Sequence, residues 1–136
     1  MRFDILHPLA ADYARALPPN ARSCVLRIQS APDAAGPSRV ALLAGDIEAA
    51  QESQLLALGA PLRADLLLVP HHGSKTSSSA AFLDAVQPQE AWVQSGYRNR
   101  YGHPAGDVLQ RLRERHILVR DSPHCGAMAW QSQGLQ

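Results

Sequence analysis

The feature that most constrains the fold is a short apolar run followed by an abrupt change to polar residues. Residues 65–69 read DLLLV, and the next seven read PHHGSKT. A continuous apolar run of this length, bounded by a proline and a glycine, is typical of a central β-strand covered on both faces. The sequence therefore predicts an α/β fold in which a histidine-containing loop follows a central strand of the sheet.

Other strand-like and helix-like segments lie on both sides of this run. Strands are predicted over residues 3–6, 24–28, 40–44, 91–94, 117–120 and 127–131, and helices over 47–58, 79–86 and 104–115. Pro104 suits a first helical turn, residues 30–38 read as a hairpin loop, and residues 123–126 read as the turn before the last strand. The order β-β-β-α-β-α-β-α-β-β indicates a mixed sheet with the helices on one face.

Composition places the chain among ordinary globular domains. Its 136 residues, 46% hydrophobic and 18% charged, correspond to one domain with a core and argue against disorder. No apolar run approaches the roughly 20 residues of a transmembrane helix. Asp4, His7 and Pro8 interrupt the start where a signal peptide would be apolar. We therefore expect no targeting signal and no membrane contact by this segment itself.

Charge and cysteine content limit the kind of site that the chain can build. A net charge of +1 provides no broad basic field, so a phosphate site has to be built locally. Lys75 is the only lysine among 13 basic residues, and it lies in the histidine-containing loop. Cys24 and Cys125 are expected to be buried thiols, with a disulfide as the alternative in an oxidising compartment.

Two polar motifs follow predicted strands, where open α/β sheets place their ligands. Gly45 and Asp46 end the strand at 40–44, and His71 and His72 follow the strand at 65–69. A carboxylate and an imidazole from neighbouring strand ends can share a zinc or manganese ion. The alternatives are that Asp46 caps the following helix and that the histidines belong to an ordinary polar loop.

The neighbouring residues predict an anion site. Segment 96–104, between a strand and a helix, carries two arginines, two tyrosines and a histidine. Arginine suits bidentate phosphate contacts and tyrosine can stack on an unpaired base. The alternative is a solvated loop in which His103 caps the helix. The residues predicted to contact a substrate phosphate are Ser74, Lys75, Thr76, Arg98, Asn99 and His103.

Three motifs together resemble a known family: LLAGDIE at 42–48, LLLVPHHGSKTSSSAAFLDAVQP at 66–88 and SGYRNRYGHP at 95–104. They resemble the metallo-β-lactamase-like domain of ComEC-type competence proteins, inner-membrane channels that take up transforming DNA. The resemblance implies an αββα sandwich, a centre of two divalent ions (zinc or manganese), and a nuclease for incoming single-stranded DNA. It also implies a location on the extracytoplasmic side of the bacterial inner membrane.

The resemblance assigns roles to individual residues. Asp46 matches an aspartate that bridges two metal ions, and His72 matches a metal ligand in a Pro-x-His-Gly context. His71 would then lie beside the metal or contact the phosphate. Lys75 and His103 would join them as catalytic groups that neutralise charge on the scissile phosphate.

The chain also departs from the family. The upstream His-x-His-x-Asp-His metal motif does not occur in the 136 residues. Asn20 stands near the position of a ligand histidine in related hydrolases, and His7 before Pro8 fits a turn. We therefore expect residues 1–136 to be a single partial domain, the C-terminal half of the sandwich, that is inactive on its own because two donors are too few for a tight metal site.

These observations leave two classes of function open. The first is part of a metal-dependent phosphodiesterase or DNA nuclease in a DNA-uptake protein, whose partner is the missing N-terminal half of the domain. The same fold also hosts hydrolases of other phosphodiesters, so one of these is an alternative substrate to DNA. The alternative is a non-catalytic module that binds DNA or protein. Without the missing half, the sheet would expose a large apolar face, so we expect the 136-residue chain to form a homodimer through it.

Overall fold

A computed structural model describes residues 1–32 and 36–132 and contains a six-stranded mixed sheet. The strands lie side by side in chain order: β1 (Arg2–His7), β2 (Val25–Gln29), β3 (Val40–Leu43), β4 (Leu66–Leu68), β5 (Glu90–Val93) and β6 (Leu118–Asp121). The first three strands pair antiparallel, and β3 to β6 pair parallel. The predicted α/β fold with a mixed sheet is confirmed.

Three helices connect the parallel strands: α1 (Ala49–Ala57), α2 (Ala80–Val86) and α3 (Gly106–Glu114). Each crossover moves to the next strand in the same direction, and right-handed crossovers therefore place all three helices on one face of the sheet. A single turn, α4 (Ser122–Cys125), follows β6. Within the described residues no helix has the length and apolar character needed to cross a membrane.

The strand register divides the sheet into two faces of different character. Leu42, Leu67 and Ala91 are aligned neighbours on β3, β4 and β5, and all three are fully buried in the core cluster under the helices. The opposite side, called the open face below, lies outside that cluster. Its apolar residues are Phe3, Ile5, Leu26, Ile28, Ala41, Leu43, Leu66, Leu68, Trp92 and Leu118, of which Ala41 and Leu66 are buried. The ion pair of Glu90 and Arg120 lies on the same face.

Exposure is greatest at the two edges of the open face. Phe3 and Ile5 on β1 are 61% and 68% exposed, and Leu118 on β6 is 53% exposed. In its centre Leu43, Leu68 and Trp92 are only half-buried. The central strand β4 is therefore apolar on both faces, as its sequence indicates, but the helices cover one of them.

Two predicted elements differ at the C-terminal end of the chain. The predicted strand over residues 127–131 is wrong, because this segment has no ladder partner and Trp130 lies instead under the Arg39 guanidinium, 5.4 Å from its ring centroid. Helix α3 begins at Gly106 after the N-cap Ala105. Pro104 therefore lies before the helix, and the alternative in which His103 caps it is also wrong.

The two cysteines differ from expectation as well. Both are free and exposed, so the buried thiols and the alternative disulfide are both wrong. The physical reason is position: Cys24 lies just before β2, and Cys125 ends the one-turn helix α4, so neither side chain is inside the sheet. The predicted hairpin loop falls partly on residues 33–35, outside the described residues; at its base Ser30 N donates to Arg39 O at 2.9 Å.

Candidate functional site

Most of the predicted site residues come together where three neighbouring parallel strands end. Asp46 follows β3, the turn Pro70–Gly73 follows β4, and residues 94–104 follow β5. Backbone hydrogen bonds join these loops: His71 N donates to Gly45 O at 2.9 Å, and Ala105 N donates to Gly73 O at 2.8 Å. The carboxyl edge of the sheet therefore carries one connected site.

Two glycines make this close assembly possible. Gly45 has a φ of +56°, and a Cβ there would lie 2.8 Å from Cys24 O. Gly73 has a φ of +77°, and a Cβ would lie 2.7 Å from the Pro104 Cβ. Both positions combine a left-handed backbone with a contact too short for a side chain, so glycine is required at each.

Asp46 projects from the end of β3 toward the histidine loop. Its Oδ1 lies 3.5 Å from the His72 Nε2, and both side chains are partly exposed. The alternative role as helix cap is wrong, because the N-cap of α1 is Glu48, whose backbone N–H donates to Gln51 Oε1 at 3.2 Å. The Asp46 carboxylate is thus placed beside an imidazole rather than over a helix terminus.

The His72 ring is oriented by a carbonyl at the end of β5. Its Nδ1 lies 2.7 Å from Gln94 O. A carbonyl oxygen only accepts, so Nδ1 carries the hydrogen, and in the neutral ring the Nε2 lone pair faces Asp46. Metal-ligating histidines commonly donate their second ring N–H to a carbonyl in this way.

His71 has a different environment from its neighbour. Its Nδ1 is 3.2 Å from Glu48 Oε1, and its Nε2 is 3.4 Å from Asn20 Nδ2. Glu48 also accepts a hydrogen bond from the Thr76 hydroxyl at 3.0 Å. Both ring nitrogens of His71 therefore have protein partners, whereas the Nε2 of His72 faces Asp46 alone at the loop surface.

Both histidines are held in an unfavourable backbone conformation. The φ angles of His71 and His72 are +49° and +56°, in the left-handed region. Such a conformation costs about 1–2 kcal/mol for a residue with a Cβ and persists where surrounding structure enforces it. Strain of this kind concentrates at functional sites.

Buried polar contacts hold the loop that follows. The carboxylate of Glu52 is fully buried and accepts hydrogen bonds from the backbone N–H groups of Ser78 and Ser79. From the other side, Arg111 Nε donates to Ser78 O at 2.8 Å. This clamp fixes the segment that connects the histidine loop to α2.

The predicted phosphate-contacting residues differ in how accessible their side chains are. Lys75 and Arg98 are exposed, and the Ser74 and Thr76 hydroxyls lie 3.1 Å apart in the same loop. Asn99 is engaged in its own loop, where its Oδ1 accepts from His103 N at 3.0 Å and its Nδ2 donates to His103 O at 2.6 Å. The two cations therefore remain accessible, while the amide rigidifies residues 96–103.

His103 completes a group of three imidazoles. Its ring centroid lies 6.0 Å from that of His71. Burial, together with repulsion from the positive charge that His71 and His72 can carry, lowers the pKa of His103 below its ordinary value. His103 is therefore neutral at pH 7 and can accept or donate a proton.

The donors of this chain do not by themselves fit the metal centre that the resemblance implies. Asp46 and His72 supply two donors, whereas zinc sites usually have three or four protein ligands. Among residues 1–32 and 36–132, no group of three or more His, Cys, Asp and Glu side chains is placed to hold a metal ion.

Comparison with known proteins gives this geometry a context. The chain is 39% identical over 110 residues to competence protein ComA of Neisseria gonorrhoeae, covering 80% of this chain and 15% of that protein. It is 34% identical over 131 residues to ComE operon protein 3 of Bacillus subtilis, covering 96% and 16%. The relatives of this chain include competence proteins. It spans about one sixth of these two, and no protein-family profile matches it.

Some functional contacts were not visible in the sequence. Gln94 orients His72 through its backbone carbonyl, which has no side-chain signature and lies 22 residues away along the chain. Glu48 reads as an ordinary helix residue, although its carboxylate faces His71. The sequence indicated only that polar residues follow adjacent strands, and it did not indicate which of them contact each other.

Proposed function

We propose that this chain forms one layer of a hydrolase domain in a DNA-uptake protein and takes part in phosphodiester hydrolysis of single-stranded DNA. The resemblance in three motifs and the competence proteins among its relatives support the biological setting. From the same resemblance we propose that the domain faces the extracytoplasmic side of the inner membrane.

The observation that carries this proposal is the arrangement of Asp46 and His72. The Gln94 carbonyl fixes the His72 tautomer, so that Nε2 and the Asp46 carboxylate converge from two strand ends, 3.5 Å apart. We propose that these groups supply two of the donors of a divalent-metal centre, zinc or manganese, whose other ligands lie outside this chain. When bound, such ions lower the pKa of water and stabilise phosphate charge.

The other residues act on the substrate. Lys75 and Arg98 hold the negative phosphate, and the Ser74 hydroxyl is a neutral donor beside them. The Thr76 hydroxyl joins them when its hydrogen turns from the Glu48 carboxylate to the phosphate. His103, neutral because of its lowered pKa, is available to transfer a proton.

The test is cleavage of labelled single-stranded DNA with and without MnCl₂ or ZnCl₂. It uses the 136-residue chain and, if the gene encodes residues before Met1, the longer product. The substitution Asp46→Ala is compared with Asp84→Ala, which removes an exposed carboxylate on α2 that pairs with Arg115. We expect metal-dependent cleavage by the longer product, abolished by Asp46→Ala only. Equal cleavage by both variants would refute the role of Asp46.

The alternative, a non-catalytic module that binds DNA or protein, is favoured by one observation. The described residues contribute two metal donors rather than three. Metal-independent DNA binding without cleavage by any form of the protein would support this alternative and overturn the hydrolase proposal.

A further inference from the structure

A cleft of about 440 Å³ opens beside the Asp46–His72 pair. It is lined by His72, Gln94, Ser95, Tyr101, His103 and neighbouring residues of the 96–103 loop. Its volume falls in the range of small-molecule sites, about 300–1,000 Å³. Because His72 lines the cleft and also faces Asp46, a ligand that occupies the cleft lies next to the candidate phosphate site.

One wall of the cleft is flat and aromatic. The Tyr101 and His103 rings stack with centroids 5.8 Å apart and an angle of 18° between their planes. The Arg100 guanidinium lies over Tyr101 at 4.8 Å and donates to its hydroxyl at 2.6 Å. Asn99 fixes the loop from inside. These contacts hold the wall in place, and its rings are of the kind on which a planar ring stacks, with Arg100 as the group that a ligand would displace.

Polar side chains also line the cleft, among them Ser95 and His103. Ser95 Oγ and His103 Nδ1 themselves are buried and have no hydrogen-bond partner among the described residues, so a ligand reaches them only when a side chain rotates. An aromatic wall beside polar side chains suits a flat ring with donors and acceptors on its edge.

We propose that this cleft binds one unstacked nucleobase of the DNA strand whose phosphodiester lies at Asp46 and His72. The inference rests on the proposed function, because a phosphodiester held there places a base of the same strand at the cleft. A stacked and paired base cannot enter, so the cleft selects single strands over duplex.

Two tyrosines of the same loop provide a matched test. Tyr97 and Tyr101 are 70% and 67% exposed, and each carries an arginine over its ring. Of the two, Tyr101 lines the cleft and stacks on His103. Binding of (dT)₆ and of a fully abasic hexamer of the same charge is measured by fluorescence anisotropy without divalent metal, for wild type, Tyr101→Ala, Tyr101→Phe and Tyr97→Ala.

We expect Tyr101→Ala to weaken (dT)₆ binding about 5- to 150-fold, the range of one lost base–aromatic stack. Tyr101→Phe and Tyr97→Ala should stay within about twofold, and wild type and Tyr101→Ala should bind the abasic hexamer equally. Equal effects of Tyr101→Ala and Tyr97→Ala, equal wild-type affinity for both hexamers, or no binding of (dT)₆ would overturn the proposal. Because binding is measured without metal, this pattern can hold even if the cleavage experiment fails.

Discussion

The two faces of the sheet differ although the same strands build both. Under the helices, Leu42 and Leu67 are fully buried in one continuous core. On the open face, their chain neighbours Leu43 and Leu68 are only half-buried, and Ile5 at the edge is 68% exposed. Side chains alternate between faces along a strand, so two consecutive leucines have different surroundings.

This contrast shows which face of the sheet the chain covers with its own residues. The helix-covered face forms a core within these 136 residues, whereas the open face presents the kind of apolar surface that usually marks an interface. The strand-end site shows the same division: its loops are held firmly by buried contacts, but it brings together only two of the donors that our proposed metal centre needs. Both features fit our proposal that the chain is one layer of a larger domain.

The largest expected effect separates the two faces directly. Leu67→Ala should lower the free energy of unfolding by about 2–5 kcal/mol, because it leaves a cavity in the closed core. Leu68→Ala, one residue later, should lower the free energy of unfolding of the monomer by about 1 kcal/mol or less, because its side chain is only half-buried there. Urea unfolding followed by circular dichroism, at protein concentrations too low for association, measures both. Equal losses under these conditions would show that the monomer packs its own open face.

The second prediction concerns what covers the open face in the isolated chain. We propose that two copies associate through it, since burial of its apolar surface is worth about 25 cal/mol per Å² before the cost of association. Ile5→Lys should weaken the dimer about tenfold or more by placing a charge in that interface. Leu58→Lys, at an exposed apolar residue of similar accessibility after α1, should leave it unchanged. A compact wild-type monomer at micromolar concentration in sedimentation experiments would contradict the dimer.

The third and smallest effect concerns the loops after β4 and β5, whose exposed side chains contribute to neither face of the sheet. Lys75→Ala and Arg98→Ala should each reduce the slope of log K for DNA binding against log salt by about one unit or slightly less. Arg63→Ala removes an exposed arginine at the opposite edge of the sheet, where it bonds Gln87, and should leave the slope unchanged. Identical slopes in all three variants would mean that neither loop cation contacts phosphate.

Local pattern was sufficient for most of the sheet and insufficient near the C-terminus. The DLLLV run identified β4 because a strand inside a sheet carries apolar residues at consecutive positions, and the run is short and bounded by a proline and a glycine. Residues 127–131 also read as a strand, but Trp130 packs on Arg39, a tertiary contact that no local propensity encodes. The cysteines were misjudged because an average preference for burial does not specify position relative to a strand end.

The site shows the same limit more sharply. Polar residues after β3, β4 and β5 could be grouped from the sequence, because parallel strands end at one edge. The distinction between His71 and His72 depends on the Gln94 carbonyl and the Glu48 carboxylate, which the fold brings in from other segments. The left-handed backbone of both histidines is likewise a product of tertiary structure, because such φ angles are disfavoured locally.

The most direct test of the central claim is a titration of the isotope-labelled chain with MnCl₂, followed by paramagnetic broadening of its NMR signals. The pair Asp121 and His124, 2.6 Å apart with only the His124 side chain well exposed, serves as an internal control. We predict that signals of Asp46 and His72 broaden first and that Asp46→Asn removes this effect while the Asp121–His124 signals are unaffected. Equal broadening of both pairs, or broadening at His72 that persists in Asp46→Asn, would contradict the assignment of Asp46 and His72 as metal donors.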